Sequence, residues 1–593
     1  MVAVTVLRPG ELIMGYEKVD GVASHIVDEL EERNGGQILV QQLCNHGARR
    51  VFLVPGESYL PCIDALYDHQ DAIQPVVCRQ EGGAGYMAEA YGKLTGEPGL
   101  CFVTRGPGAT NASIAVHTAY HDSTPMILFV GQVGSDYAER EAFQEIDYRR
   151  MFGQMSKWVA QIDRTDRIPE FVARAFSVAT SGRPGPVVLA LPEDVLWGKA
   201  RVSDMPRYER TSIAPPSAGI ETLKSLLREA ANPFLLIGGS GWNSEAIADM
   251  EGFASRFALP VGVTWRRLEC FNHAHPNYVG HVGWGMRQSL REQILAADLL
   301  IAVGTRLGEA ATDGYSLVES PIPRQKLVHV HPDANEMGRV FRPALALISD
   351  VASFAAVVRG AVPAEAPPWS VRLETARREY LDALEPREFP GRLNLNTVAC
   401  YVRDHVPKDT CITVGAGNYG AFPHRYHQFA GPGTSLTPTS GAMGYGLPAA
   451  ISAKLECPER TVVCCAGDGC FQMNVQELGV AMQYRLGIVI LVFNNGIWGT
   501  IRMHQEREFP GRTIALGFDN PEYSELIRAY RGHGEVVESD AEFGPAFDRA
   551  LKFASDNKLP ALIELRYDYD GILPGVRLSE IRQAALAQQA RQM

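Results

Sequence analysis

Residues 461–496 read TVVCCAGDGCFQMNVQELGVAMQYRLGIVILVFNNG, and this stretch decides the fold. Thr461–Ala466 and Ile488–Phe493 are unbroken apolar runs of strand length, the pattern of strands covered on both faces. Between them, Asn474–Tyr484 reads as a helix. Strand, helix and strand at this separation make a βαβ unit, whose two strands lie side by side and parallel. Asp468, within Gly467-Asp468-Gly469, and Asn495, within Asn494-Asn495, then leave the sheet together at its C-terminal edge, where open α/β sheets bind ligands. A carboxylate and an amide oxygen converging there suit a hard cation such as Mg²⁺, which completes its shell with carbonyl, water and phosphate oxygens. Either motif alone is ordinary turn chemistry. At this spacing the two together read as a metal-bridged diphosphate site.

The same alternation extends through the chain. Residues 36–205 carry the strand-like runs VFLV, LCFVT, PMILFVG and VVLAL; residues 218–360 carry FLLIGG, PVGVT, LLIAVG and KLVHVH; residues 385–570 hold the βαβ unit. Pro-rich stretches at 207–217 and 362–369 separate the blocks. The expected fold is α/β, with three doubly wound parallel-sheet domains, an N-terminal arm at 1–35 and a C-terminal arm at 571–593. A net charge of −12 without a Lys/Arg run argues against nucleic acid as a partner. No apolar run is long enough to span a membrane, and the N-terminal stretch is neither a signal peptide nor a transit segment. Eleven scattered cysteines, an odd number, point to a reduced, cytoplasmic protein.

Gly415-Ala416-Gly417-Asn418-Tyr419-Gly420 formally matches a dinucleotide fingerprint, but residues 430–445 lack the acid that would hold a ribose. A phosphate-side loop is the better reading. GDG followed by NN, in a chain of three α/β blocks, resembles the signature of thiamine diphosphate (ThDP) enzymes. The blocks then correspond to pyrimidine-binding (36–205), central (218–360) and diphosphate-binding (385–570) domains. The resemblance implies Mg²⁺ ligation by the side chains of Asp468 and Asn495 and the carbonyl of Ile497. It also implies diphosphate contacts from Gly469, Cys470, Asn418 and Tyr419. Glu81, in CRQEGGAGYMAEAYGKLTG, matches the glutamate that hydrogen-bonds the aminopyrimidine ring and makes the cofactor reactive. Met443 matches the wedge under the bent cofactor, and Gly441 would offer its carbonyl to the exocyclic amine. In such enzymes Glu81 and the diphosphate anchor belong to different subunits, which implies a homodimer or homotetramer with interfacial active sites.

Within the family the chain resembles acetolactate synthase large subunits over nearly its whole length, most closely in RGPGATNASIAVHTAYHDSTPMILFVGQV and EAFQEIDYRRMFGQMSKW. Phe143 and Gln144 match the pair beside the thiazolium and donor substrate. Departures accompany the agreements. Glu57 replaces a glycine and would bring a carboxylate close to the reaction centre, as an acid or base or as a repeller of anions; a Glu that simply faces solvent is the other reading. Glu193 replaces a lysine and removes a positive charge expected near a 2-oxo acid. Trp498, Ile501 and His504, in a segment closer to benzaldehyde lyase, shape the pocket beside the cofactor, while Ser58 stands where that lyase has histidine. Arg183, Gly238-Gly239 with Asn243, and Gly304-Thr305-Arg306 resemble an FAD cradle. His331 stands where an acid is expected, and Gly308-Glu309 where two aspartates are. FAD, another nucleotide and no ligand all stay open. The implied function is a ThDP- and Mg²⁺-dependent decarboxylase-carboligase acting on a small carbonyl substrate, with pyruvate to acetolactate as the default. The alternatives are a non-oxidative lyase for hydroxyketones, diketones or acyl-CoA, an FAD-dependent pyruvate oxidase, and a non-catalytic ThDP-binding protein.

Overall fold

The computed structural model describes residues 30–592. Residues 1–29 of the expected N-terminal arm, with the absence of a targeting segment read there, and Met593 lie outside the described residues. Three six-stranded sheets, every neighbouring pair parallel, carry the architecture. The first contains β1 (Arg50–Leu53), β2 (Gln74–Val77), β3 (Gly99–Val103), β4 (Met126–Gln132), β5 (Trp158–Gln161) and β6 (Pro186–Pro192), in the order β2-β1-β3-β4-β6-β5. The central sheet contains β7 (Pro233–Ile237), β8 (Val261–Thr264), β9 (Tyr278–Val282), β10 (Leu299–Val303), β11 (Lys326–His331) and β12 (Leu345–Ile348), in the order β9-β8-β7-β10-β11-β12. The third contains β13 (Cys411–Val414), β14 (Ser435–Leu436), β15 (Val462–Gly467), β16 (Val489–Asn494), β17 (His533–Val537) and β18 (Ala561–Arg566), in the order β14-β13-β15-β16-β18-β17. The first and third sheets thus share one strand order, and each reverses direction beside its first strand. That reversal leaves a crevice at the C-terminal edge, between β1 and β3 in one sheet and between β13 and β15 in the other.

The deciding stretch forms the expected parallel pair, with Val463 beside Val489 and Gly467 beside Phe493. Two local readings need correction. The first strand is Val462–Gly467, one residue later than its apolar run, because Gly467 lacks the Cβ that would lie 2.8 Å from the Tyr419 ring. Asn474–Tyr484 is not one helix but a 3-10 turn, Val475–Glu477, followed by Leu478–Gln483, and a separate short helix, Asp468–Gln472, starts at the GDG turn. The inner strands are buried on both faces while edge strands such as Leu345–Ile348 are only partly so, and each Val, Leu or Ile fully withdrawn from water stabilises the fold by about 1.5–3 kcal/mol.

Helix α1 (Glu81–Thr95) begins at the end of β2, where the Gln80 side chain accepts from Gly83 N. It ends at Gly96, whose φ of 72° terminates the helix in the left-handed conformation. Helix α2 (Gly106–Asp122) follows β3. Helix α3 (Gly446–Glu456) of the third block packs against α1, and Ala84, Met87 and Ala88 share one core cluster with Tyr445, Leu447 and Ile451. A buried polar network crosses the same seam. Lys93 pairs with Asp122 and with Glu89 (3.3 Å), Tyr445 Oη donates to Glu89 (2.6 Å), and Thr439 N donates to Asp122 (2.7 Å). Residues 571–592 form a small hairpin and a helix, Leu578–Gln592, which lies against Gly499–Glu508. No helix among the described residues is long and apolar enough to cross a membrane.

Candidate active site

A cavity of about 230 Å³ opens at the crevice of the third sheet. Its walls are Ala416–Tyr419 after β13, Asp468–Cys470 after β15 and Asn495–Ile501 after β16, with Gly441 and Met443 on a further loop. Asp468 is buried. Its Oδ1 accepts from Gly469 N (2.9 Å), and its Oδ2 accepts from Gly496 N (2.9 Å) and from Asn520 Nδ2 (3.0 Å). Burial, the largest influence, pushes the Asp468 carboxyl up, and these donors pull it back. The two asparagines divide their labour. Asn494 is structural, bonded to Glu564 (2.8 Å) and Asn520 (2.8 Å), whereas Asn495 lines the cavity. Strand alternation separates them, since consecutive side chains face opposite ways. Among the described residues no three His, Cys, Asp or Glu side chains form a metal cluster. One carboxylate, one amide and nearby carbonyls remain, an all-oxygen set that fits a small hard cation.

The remaining wall residues are tied together. Tyr419 Oη donates to Cys470 Sγ (3.3 Å), and Gly444 N donates to the same sulfur (3.1 Å). Cys470 therefore joins the GDG turn to the loop that carries Gly441 and Met443, and the Tyr419 hydroxyl is used internally. Thr500 Oγ1 donates to Asn418 Oδ1 (3.0 Å). Met443 is half-buried and accepts from Tyr86 Oη of α1 through its carbonyl (3.2 Å). Gly441 has φ 69° and open space where a side chain would project. Trp498 lies directly on the GDG turn, because a Cβ on Gly469 would be 2.5 Å from its ring. Ile501 is 53% exposed at the mouth.

The other candidates gather on the C-terminal edge of the first sheet. Glu81 is the first residue of α1 and accepts from Asn111 Nδ2 (2.9 Å). Behind it, Glu477 of the third block accepts from Arg79 N (3.2 Å), and burial pushes its carboxyl up to about 7. Glu57 is exposed in a 3-10 turn after β1. Phe143 and Gln144 follow β4; Phe143 is 76% exposed, and Gln144 has φ 65°, with its carbonyl held by Gly106 N (3.0 Å). Among the described residues that line the cavity, none comes from this edge. The candidates therefore form two groups within one chain, an acidic edge and a cleft.

Sequence reasoning missed Glu477, Asn520 and Arg105. Glu477 had a usable signal, a lone acid on the apolar pattern of residues 475–481. Asn520 had none, since it reaches Asp468 from a loop 52 residues away. Arg105 was visible as a cation at the end of β3, yet its partner Glu193 is 88 residues distant.

Comparison with known proteins completes the site. Three family models match in chain order: the thiamine pyrophosphate enzyme N-terminal TPP binding domain at residues 33–151, the central domain at 220–358 and the C-terminal TPP binding domain at 415–565. The chain is 29% identical over 552 residues to the acetolactate synthase isozyme 2 large subunit of Escherichia coli, covering 92% of this chain and 99% of that protein. It is 32% identical over 497 residues to the acetolactate synthase large subunit of Corynebacterium glutamicum, covering 81% and 78% respectively. It is 29% identical over 573 residues to a probable acetolactate synthase large subunit of Methanocaldococcus jannaschii, covering 93% and 95%. Three parallel α/β blocks, a cleft built from GDG and NN, and these matches agree: the chain belongs to the thiamine pyrophosphate enzymes, in their acetolactate synthase-like group.

Proposed function

We propose that this protein is a ThDP- and Mg²⁺-dependent decarboxylase-carboligase that converts pyruvate to acetolactate. The observation that carries the reading is the convergence of Asp468, Asn495, Asn418, Gly441 and Met443 on one cavity, in a chain similar to acetolactate synthase large subunits. In this reading Mg²⁺ takes the Asp468 carboxylate, the Asn495 amide oxygen and the Ile497 carbonyl. The GDG turn at Gly469–Cys470 and the Asn418–Tyr419 turn would border the diphosphate, with Gly469 N and Asn418 N already donating to Asp468 Oδ1 (2.9 Å) and Thr500 Oγ1 (3.2 Å). Gly441 and Met443 hold the aminopyrimidine and the bent form, and Ile501 borders the mouth.

Bound there, ThDP would supply a nucleophilic carbon able to take up electrons as CO₂ leaves a 2-oxo acid and to pass the remaining acyl unit to a second carbonyl compound. Glu81 holds a proton at a cofactor ring nitrogen, a contribution of about 10²–10⁴ in rate. Phe143 and Gln144 cover the reacting face and keep water out, and Glu57 serves the substrate side as an acid or base. Because Glu81, Glu57, Phe143 and Gln144 stand outside the cavity lining, the reading includes a homodimer or homotetramer. In it, the acidic edge of one copy closes the cleft of another. A cytoplasmic location belongs to the same reading, on eleven free cysteines.

The residues that resemble an FAD cradle are engaged with one another, within the central domain and across to the first. Glu336 Oε1 engages Arg306 (3.0 Å), Arg339 (3.1 Å) and Arg183 (3.4 Å), and Arg183 also bonds Ser123 and the Tyr120 carbonyl. His331 is buried, and its Nδ1 accepts from Asp333 N (3.1 Å). The Gly238–Gly239 and Gly304 turns touch, so that a Cβ on Gly239 would lie 1.8 Å from the Gly304 carbonyl oxygen.

The test is to incubate purified protein with ThDP, Mg²⁺ and ¹³C-labelled pyruvate and to follow products by NMR. Acetolactate with CO₂ is expected. Untouched pyruvate, with thiazolium C2–H exchange still fast, refutes the substrate and promotes a lyase acting on another carbonyl.

A further inference from the structure

The turn Thr104–Arg105 between β3 and α2, with the first residues of α2, Gly106–Gly108, stands at the switch point of the first sheet and touches the candidates on its edge. Thr104 Oγ1 meets Ser58 Oγ at 3.1 Å, beside Glu57. Gly106 N holds the Gln144 carbonyl (3.0 Å), and the Cβ position of Gly108 lies 3.5 Å from Glu81 Oε1. Arg105 belongs to this turn. Its Nη2 donates to Glu193 Oε1 (2.5 Å) and its Nη1 to the Phe143 carbonyl (3.1 Å). The side chain is only 15% exposed. Nε–H lies buried without a partner, and one N–H on each of Nη1 and Nη2 is unused, a terminal pair whose fork matches a carboxylate. A guanidinium withdrawn from water with open donors is costly until an acceptor arrives.

Glu193, read alone, removes a positive charge from the substrate side. The ion pair changes that reading, since a cation stands one turn away, fixed by the very residue that seemed to exclude anions. We propose that Arg105, oriented by Glu193, is the residue that receives the carboxylate of the 2-oxo acid, alongside Phe143 and Gln144. This rests on the proposed 2-oxo acid chemistry and names the group that selects for it. The pair neutralises itself before substrate arrives, so the pocket discriminates by the geometry of the open fork as well as by charge.

The test uses oxamate, an unreactive 2-oxo acid mimic, so that binding is read without turnover. Affinities for oxamate and for its uncharged ester, ethyl oxamate, are measured by titration calorimetry on ThDP- and Mg²⁺-loaded wild type, Arg105→Gln, Arg105→Lys and Glu193→Gln, beside KM and kcat for pyruvate. Unfolding midpoints and bound ThDP serve as controls for folding. Arg105→Gln should weaken oxamate and raise the pyruvate KM by about 30-fold, the size of a lost charge-assisted contact. Arg105→Lys should recover part of this, and Glu193→Gln should tighten both by leaving the cation unneutralised. Equal oxamate affinity in wild type and a folded Arg105→Gln overturns the assignment, as does wild type that binds no oxamate. An equal loss of affinity for ethyl oxamate also overturns it, because Arg105 would then only clamp the Phe143 loop. Oxamate binding lost in Arg105→Gln, with pyruvate unconsumed by wild type, upholds Arg105 and refutes the pyruvate reading instead.

Discussion

Replacing Glu477 by glutamine tests how the turn that presents Glu81 is held. The Glu477 carboxyl is fully buried and accepts from Arg79 N at 3.2 and 3.3 Å. It sits so close that a Cβ on Gly83 would be 2.8 Å from its carboxyl carbon. Burial is the main force that raises it from 4.5 to about 7; the Arg79 and Gln80 N–H groups and the Arg79 charge oppose that rise, and the like charge of Glu81 adds to it. The folded protein therefore binds this proton more tightly than the unfolded chain does. Ionisation carries no penalty to the fold below pH 4.5, and the penalty grows as the pH rises toward 7 and is complete above it. The interval from 4.5 to about 7 corresponds to about 3 kcal/mol. The amide in Glu477→Gln cannot ionise and keeps one acceptor for Arg79 N, while the weakened contact to Gln80 costs roughly 1 kcal/mol at every pH. Denaturant unfolding of both proteins at about pH 5 and about pH 8 reads the difference. Because part of the penalty is already present at pH 5, wild type should lose roughly 2 to 3 kcal/mol relative to Glu477→Gln between those two conditions. Parallel stabilities at both would refute the reasoning, because Glu477 would then ionise in the fold as readily as in the unfolded chain.

Other outcomes are as definite. Glu81→Gln should lower turnover by at least about 10²-fold while ThDP retention, measured after gel filtration, stays near wild type; undiminished turnover would remove Glu81 from its role. Asp468→Ala should abolish Mg²⁺-dependent ThDP retention, as EDTA should in wild type, and retention equal to wild type in dialysis would show that the metal site is misassigned. Glu506 anchors the C-terminal helix by accepting from Arg582 Nε (2.7 Å), and it also holds Arg502 (2.8 Å) on the helix that carries Ile501. Glu506→Gln should therefore speed hydrogen exchange across Leu578–Gln592 at least about tenfold. Arg582 holds the Glu506 carboxyl down at about 2 from 4.5, so wild type should show the same opening only as the pH falls from 4.5 toward 2. Unchanged exchange in the variant would show that the helix is held by apolar packing alone.

Much of the fold was legible because the inner strands are buried on both faces and print as unbroken apolar runs, as Ile488–Phe493 does. Asp468 and Asn495 were legible for a related reason: strand ends fix which residues emerge together, whatever the loops do. The split of residues 468–483 into three short pieces was not, because it depends on Gly467 continuing the strand under Tyr419, a contact spanning 48 residues. Arg105 escaped for the same kind of reason. Its meaning lies in Glu193 and in the Phe143 carbonyl, two partners that only the strand order β1-β3-β4-β6 brings to one edge. Asn494 and Asn495 look equivalent in sequence, and the pleat alone assigns one to Glu564 and the other to the cavity. Phe143 and Ile501 are exposed, and in the proposed reading each borders a site that a second copy completes.

A working site, in the proposed reading, needs the acidic edge of one copy and the cleft of another. Glu81→Gln and Asp468→Ala, each inactive alone, are therefore co-expressed under separate tags, and the doubly tagged assembly is assayed for pyruvate consumption. In a mixed dimer one site collects both defects and the other neither, so about half of the wild-type activity per dimer is expected. Activity no higher than that of either parent, in assemblies shown to contain both chains, would contradict the shared site and return it to a single chain.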